Sequence, residues 1–172
     1  PERNALHGAG SMLNGQGRRG HAVTALAFVP FVQDVLGVTL EDGQRVFWRV
    51  AADGVDPVDL DPAEREIARE LFGPIERVPP EARRHVAVIK GADIGFSFFG
   101  GLRLLHRALT ATELGAPGEV RPALVVAPDL RLGRIPVRNA LGAAERVPAI
   151  AALIESRSAD GFVLRREGGR RT

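Results

Sequence analysis

Four consecutive segments between Arg84 and Pro128 constrain the fold of this chain more than any other stretch. Residues 85–89, His-Val-Ala-Val-Ile, and residues 123–127, Ala-Leu-Val-Val-Ala, are short apolar runs of the kind that form buried strands. Between them lie a loop with four glycines at 90–101 and a helical pattern at 102–114. A strand, a loop, a helix and a second strand in this length are typical of one crossover unit with parallel strands.

The flanking segments continue the alternation of strand and helix. Residues 44–50 alternate as a half-buried strand that places Val46, Trp48 and Val50 on one face. Residues 62–72 predict a helix, with Asp61 as its cap and Gly73 at its end.

The remaining predicted elements depend on two prolines. Residues 21–38 are either a strand at 21–29 followed by a short helix at 31–36, or one helix that kinks at Pro30. A helix is predicted from about 137 to 156, with Pro148 as its interruption, and a last strand at 162–165. This alternation favours the α/β class: a single three-layer domain with a mostly parallel sheet and helices on both faces.

The chain of 172 residues is long enough for one hydrophobic core. We expect three parts: a glycine-rich N-terminal segment at 1–20, a single α/β domain at 21–165 and a flexible basic tail at 166–172.

Composition excludes several kinds of site. The chain has no cysteine, which rules out disulfides and thiolate chemistry and predicts a cytoplasmic location. The longest apolar run, at 22–38, is too short and too polar to span a membrane, so we expect no membrane contact. The four histidines have no metal-ligand spacing, so we predict no metal, and no cofactor follows from the sequence.

The glycine-rich loop is the candidate ligand site. In an open α/β sheet, ligands bind where strand ends meet helix N-termini, and glycines let the backbone approach a phosphate closely. The loop matches neither common nucleotide fingerprint, so it predicts a small anionic, nucleotide-like ligand without fixing its identity. The predicted binding residues are Gly91, Gly95, Ser97, Gly100, Gly101 and Arg103.

A catalytic role, with group transfer as one reaction, depends on three further residues. Lys90 is the single lysine among 23 lysines and arginines and supplies a cation or an amine nucleophile. Asp93 follows three residues later, and Asp129 leaves the end of the second predicted strand, so the two carboxylates could share one cleft.

Two other functions remain open from the sequence. The chain could be a nucleic-acid-binding or assembly subunit whose arginines contact backbone phosphates; these are Arg18, Arg19, Arg165, Arg166, Arg170 and Arg171. It could also be an interaction protein that uses exposed phenylalanine and tryptophan side chains. A net charge of only +2 gives little long-range attraction to nucleic acid.

Overall fold

The computed structural model describes residues 26–79, 95–111, 119–120, 122–165 and 172, and this part of the chain is mainly helical. In chain order the elements are α1 (Phe28–Pro30), a π-helical turn (Phe31–Val35), α2 (Asp42–Ala51), a 3-10 turn (Pro57–Asp59), α3 (Pro62–Phe72), α4 (Phe96–Thr110), α5 (Leu130–Arg146), α6 (Pro148–Ala151), β1 (Ile154–Arg157) and β2 (Phe162–Leu164). β1 and β2 form a two-stranded antiparallel sheet.

The predicted α/β fold with a mostly parallel sheet is therefore wrong. The predicted strand at 44–50 lies within α2, and residues 122–127 have no regular secondary structure. The other predicted strand of the crossover unit, at 85–89, falls outside the described residues. The sheet that is observed pairs neighbouring strands in opposite directions, so it needs no helical crossover.

α2 was mistaken for a strand because it is covered on two sides. Val46 and Val50 lie one helical turn apart and are buried in a small cluster against α3. Trp48 is directed into the main core, where its ring packs edge-on against Phe28 with 5.0 Å between centroids. A helix with apolar neighbours on two sides buries every second residue in this short stretch, which imitates the period of a strand.

α2 and α3 both begin with a contact between a side chain and the backbone. The Glu41 N–H donates to Gln44 Oε1 at 3.2 Å at the start of α2. At the start of α3, the Glu64 N–H donates to Asp61 Oδ1 at 2.9 Å. α3 ends at Gly73, whose φ of 80° is a backbone conformation that favours glycine. The predicted helix and its cap are confirmed.

A buried carboxylate joins these two helices. Glu64 is only 4% exposed, and it accepts hydrogen bonds from Arg45 Nε at 3.2 Å and from Arg49 Nη1. Both arginines belong to α2, and each is about one-third exposed. The pair of guanidinium groups compensates the desolvation of one carboxylate and fixes α3 against α2.

α4 and α5 form the largest helix pair of the main core. Gly101 lies where they cross: a Cβ added there would meet the Pro136 carbonyl oxygen at 2.4 Å and the Ala140 nitrogen at 3.2 Å. Leu102 and Leu105 of α4 are fully buried in this core. The close approach of the two backbones therefore depends on the missing side chain at Gly101.

α1 and the following turn lie across this core, with Phe28, Phe31 and Val32 fully buried. Pro30 is tolerated here because it lies in the first turn, where backbone N–H groups lack helical partners. The helical turn continues through Pro30, which contradicts the alternative with a strand up to residue 29. The start of α1 is held from elsewhere in the chain, because the Asp53 carboxylate accepts from the N–H groups of Phe28 and, at 3.0 Å, Val29.

The C-terminal part also departs from the prediction. α5 begins at Leu130, earlier than the predicted 137, and Pro136 lies inside it. Pro148 does break the helical stretch, as predicted, because it begins the separate helix α6. Residues 154–156, the end of the predicted helix, lie in β1, which pairs Ile154 with Leu164. Among the helices in the described ranges, none has both the length and the apolar character needed to cross a membrane.

Candidate ligand-binding groove

Three residues of the predicted site, Lys90, Gly91 and Asp93, lie outside the described residues. The rest of the predicted glycine-rich loop is mostly helix. Gly95 is the N-cap of α4 and has a φ of 73°, and Ser97 is exposed in the first turn of the helix. Gly100 and Gly101 are inside α4 rather than in a loop, and Gly101 is buried against α5.

Asp129 and Arg103 are both engaged within the fold. Asp129 caps α5, where its Oδ1 accepts from the Leu132 N–H at 2.8 Å. Arg103 lies in the second turn of α4, not the first, and its guanidinium carbon is 5.4 Å from the ring centroid of Phe28. The sequence predicts Asp129 as a catalytic carboxylate and Arg103 as a ligand-binding residue, and in the structure each makes a contact within the fold.

Arg103 belongs to a buried polar cluster centred on His106. Arg103 Nη1 lies 2.9 Å from His106 Nδ1, and His106 Nε2 lies 2.8 Å from the Leu26 carbonyl oxygen. Because arginine can only donate, Nδ1 accepts and the proton is on Nε2, which donates to Leu26. The ring is therefore neutral, and both of its nitrogens are satisfied.

The electrostatics of this cluster follow from its burial. Burial lowers the pKa of His106, and the nearby guanidinium of Arg103 lowers that pKa further, while the hydrogen bond to Leu26 and the Asp53 carboxylate oppose the shift. Burial also lowers the pKa of Arg103, with Arg107 contributing in the same direction. The His106 side chain is 5% exposed and packs against Phe28. Among the described residues, the cluster is a buried network in which both ring nitrogens of His106 have a hydrogen-bond partner.

An open groove lies elsewhere, along one face of α5, and has a volume of about 180 Å³. Its apolar wall comes from three parts of the chain: Leu36 and Val38 after the π-helical turn, Phe98 from α4, and Gly142 and Ala143 from α5. Its polar groups all belong to α5 and are Arg138, Asn139 and Arg146. We call this site the α5 groove.

The two arginines of the α5 groove lack acidic partners among the described residues. Two other arginines with a salt-bridge partner on or from α5 are Arg134, with Asp160 at 2.6 Å, and Arg157, with Glu145 at 2.5 Å. Arg138 and Arg146 have no such carboxylate in the described part of the chain. Two uncompensated guanidinium groups beside an apolar wall make a surface that attracts an anion with an apolar part.

The sequence contains a signal for this groove that the prediction did not use. Arg138, Gly142 and Arg146 are spaced at i, i+4 and i+8 and therefore share one side of a helix. The apolar half of the groove could not be read from this spacing, because Leu36, Val38 and Phe98 are distant in sequence.

The other predicted partners find little support in this structure. Of the arginines proposed to contact nucleic acid, only Arg165 is described, and it donates to Glu155 at 3.0 Å. Within the described ranges, no three histidine or acidic side chains lie close enough together to hold a metal ion.

Comparisons of the chain with models of known protein families, with curated proteins and with solved structures found no match.

Proposed function

We propose that this protein binds a small anionic ligand with an apolar part in the α5 groove. The observation that carries the proposal is a pair of arginines, Arg138 and Arg146, that line the groove beside its apolar wall and have no acidic partner among the described residues. The anionic class of ligand is the one expected from the sequence, but its site is moved from the glycine-rich segment to α5. The cytoplasmic location stays a prediction from the sequence.

The groove suits a small ligand rather than a large cofactor. Its volume of about 180 Å³ is below the 300 Å³ or so at which pockets for drug-sized ligands begin. The described groups that line it can bind and orient an anion, since arginine and asparagine donate hydrogen bonds and the wall is apolar. We therefore propose binding and assign no reaction to these residues.

Octanoate is a suitable probe because it joins one carboxylate to a short apolar chain. At about 0.4 kcal/mol per non-hydrogen atom, a ligand of this size binds with a Kd of about 1 mM. We expect titration with octanoate to shift the amide NMR signals of Gly142, Ala143 and Phe98. Octylamine, which has the same chain and the opposite charge, should leave those signals unchanged.

Filling the groove tests the location. Gly142 has open space where a Cβ would project, so Gly142→Leu occupies the groove without a clash at its first atom. The matched control is Gly100→Leu, the same change in the interior of another helix, also with open space at the Cβ and outside the groove lining. We expect Gly142→Leu to abolish octanoate binding and Gly100→Leu to keep it. Equal binding by both variants, or no shift in the native protein, would contradict the proposal.

A further inference from the structure

The two arginines of the α5 groove are the first and the last of its lining residues along α5. They are eight residues apart on one helix, which separates their Cα atoms by about 12 Å along the axis and by about 80° around it. Gly142 lies midway between them, four residues from each, and carries no side chain to fill the interval. The helix thus presents a positive group, a gap and a second positive group in a row.

Most of the other lining residues of the groove are apolar. Leu36, Val38, Phe98 and Ala143 line it together with Gly142. The one polar neutral side chain, Asn139, is adjacent in sequence to Arg138, and its Nδ2 lies 3.4 Å from the Ser97 carbonyl oxygen, so it is already in contact with α4. The groove therefore combines two guanidinium groups, spaced along α5, with an apolar wall.

A single small anion cannot easily contact both guanidinium groups at once. Two arginines whose Cα atoms are about 12 Å apart along a helix can bind the same carboxylate only if both side chains bend toward each other. Each arginine side chain would also lose conformational entropy. A ligand with a charge at each end meets both arginines without that rearrangement.

We infer that the ligand of the α5 groove is an elongated dianion with a negative group at each end and an apolar middle, of the α,ω-dicarboxylate type. This inference rests on the proposed function, because it specifies the ligand of the same groove. Each carboxylate binds one arginine, and the chain between them lies over Gly142 against the apolar wall.

The test compares dicarboxylates of increasing length with a monocarboxylate. The probes are succinate, adipate, suberate and sebacate, with octanoate as the monocarboxylate of the same length as suberate. We expect affinity to rise along the series to a chain that spans both arginines, and the best dicarboxylate to bind about fivefold more tightly than octanoate, which is the effect expected of one additional exposed ion pair.

Single-arginine variants identify the two ends. Arg138→Gln and Arg146→Gln should each reduce suberate binding to the level of octanoate. The matched control is Arg131→Gln, which removes the same charge from an exposed position of α5 outside the groove lining and should leave the difference between suberate and octanoate intact.

The outcomes separate this inference from the proposed function. If octanoate binds in the groove but no dicarboxylate binds more tightly, the site takes one charge, and the inference is wrong while the proposed function stands. The same conclusion follows if only one of the two arginine variants weakens suberate. If neither octanoate nor any dicarboxylate binds, both the proposed function and this inference are overturned.

Discussion

The crossing of α4 and α5 predicts opposite effects for one substitution at two adjacent glycines. At Gly100 a new Cβ meets open space, so Gly100→Ala should stabilise the protein by up to about 1 kcal/mol, through the better helix propensity of alanine. At Gly101 the same atom would lie 2.4 Å from the Pro136 carbonyl oxygen. Non-bonded heavy atoms settle about 3.5 Å apart, so the helices would have to separate by about 1 Å.

The cost of that separation exceeds the gain in propensity. Overpacking a close contact costs about 1–3 kcal/mol, and the shift also loosens contacts around Leu102, Leu105 and Ala140, which are fully buried. We expect Gly101→Ala to lower the free energy of unfolding by up to about 2 kcal/mol after the propensity gain of about 1 kcal/mol is subtracted.

Urea denaturation followed by far-ultraviolet circular dichroism measures both variants directly. The free energies of unfolding of the two variants should differ from each other by about 1–3 kcal/mol, with Gly100→Ala the more stable. A Gly101→Ala protein as stable as Gly100→Ala would refute the helix contact from which the argument starts.

Three further predictions concern individual side chains. Glu64→Gln should destabilise the protein by about 2–3 kcal/mol in urea unfolding, because it removes a buried charge shared by two arginines. The control Glu66→Gln, at an exposed ion pair, should change the stability by less than about 0.5 kcal/mol. Equal losses of stability in the two variants would contradict the role of burial. The pKa of His106 is lowered in the folded protein, so the neutral ring contributes stability above the unfolded pKa of about 6.5, and this stability is lost as the pH falls through the folded pKa. His106→Gln should therefore make the free energy of unfolding less dependent on pH in that range. An unchanged pH dependence would contradict this role of His106. Asp129→Ala should cost about 1 kcal/mol of stability through the lost helix cap, and the octanoate titration should be unchanged.

The helix α3 could be predicted because its signals are local. Asp61 caps its first turn, Pro62 occupies the first helical position and Gly73 ends it, and these residues act within one or two turns of where they stand. The break at Pro148 was predictable for the same reason, since proline removes a backbone donor wherever it occurs in a helix.

The fold class could not be obtained from such signals. Val46, Trp48 and Val50 are all buried, as the predicted strand requires, but two different clusters bury them on two sides of a helix. The choice between strand and helix here depends on what α3 and α4 cover, which is tertiary information. The apolar run at 123–127 met the criteria for a strand too, yet the described structure gives it no strand partner.

The anionic class of ligand stays a prediction, and the residues that line the α5 groove could not be read from the sequence. An excess of arginine over lysine favours anion recognition, but it does not say which arginines lack acidic partners. Arg134 and Arg138 lie on the same helix. Arg134 has an acidic partner because Asp160, between β1 and β2, lies beside it, whereas Arg138 has none in the described part of the chain. The glycines at 100 and 101 suggested a phosphate loop, whereas one of them is required by a neighbouring helix.

The Asp53 carboxylate accepts hydrogen bonds from the first two N–H groups of α1. It therefore also controls the rate of amide hydrogen exchange in that short helix. A helix of three residues cannot persist alone, so the Phe28 and Val29 amides are shielded only while the loop after α2 stays in place. Deuterium uptake at these two positions should therefore follow the opening of the loop after α2, about 25 residues away along the chain.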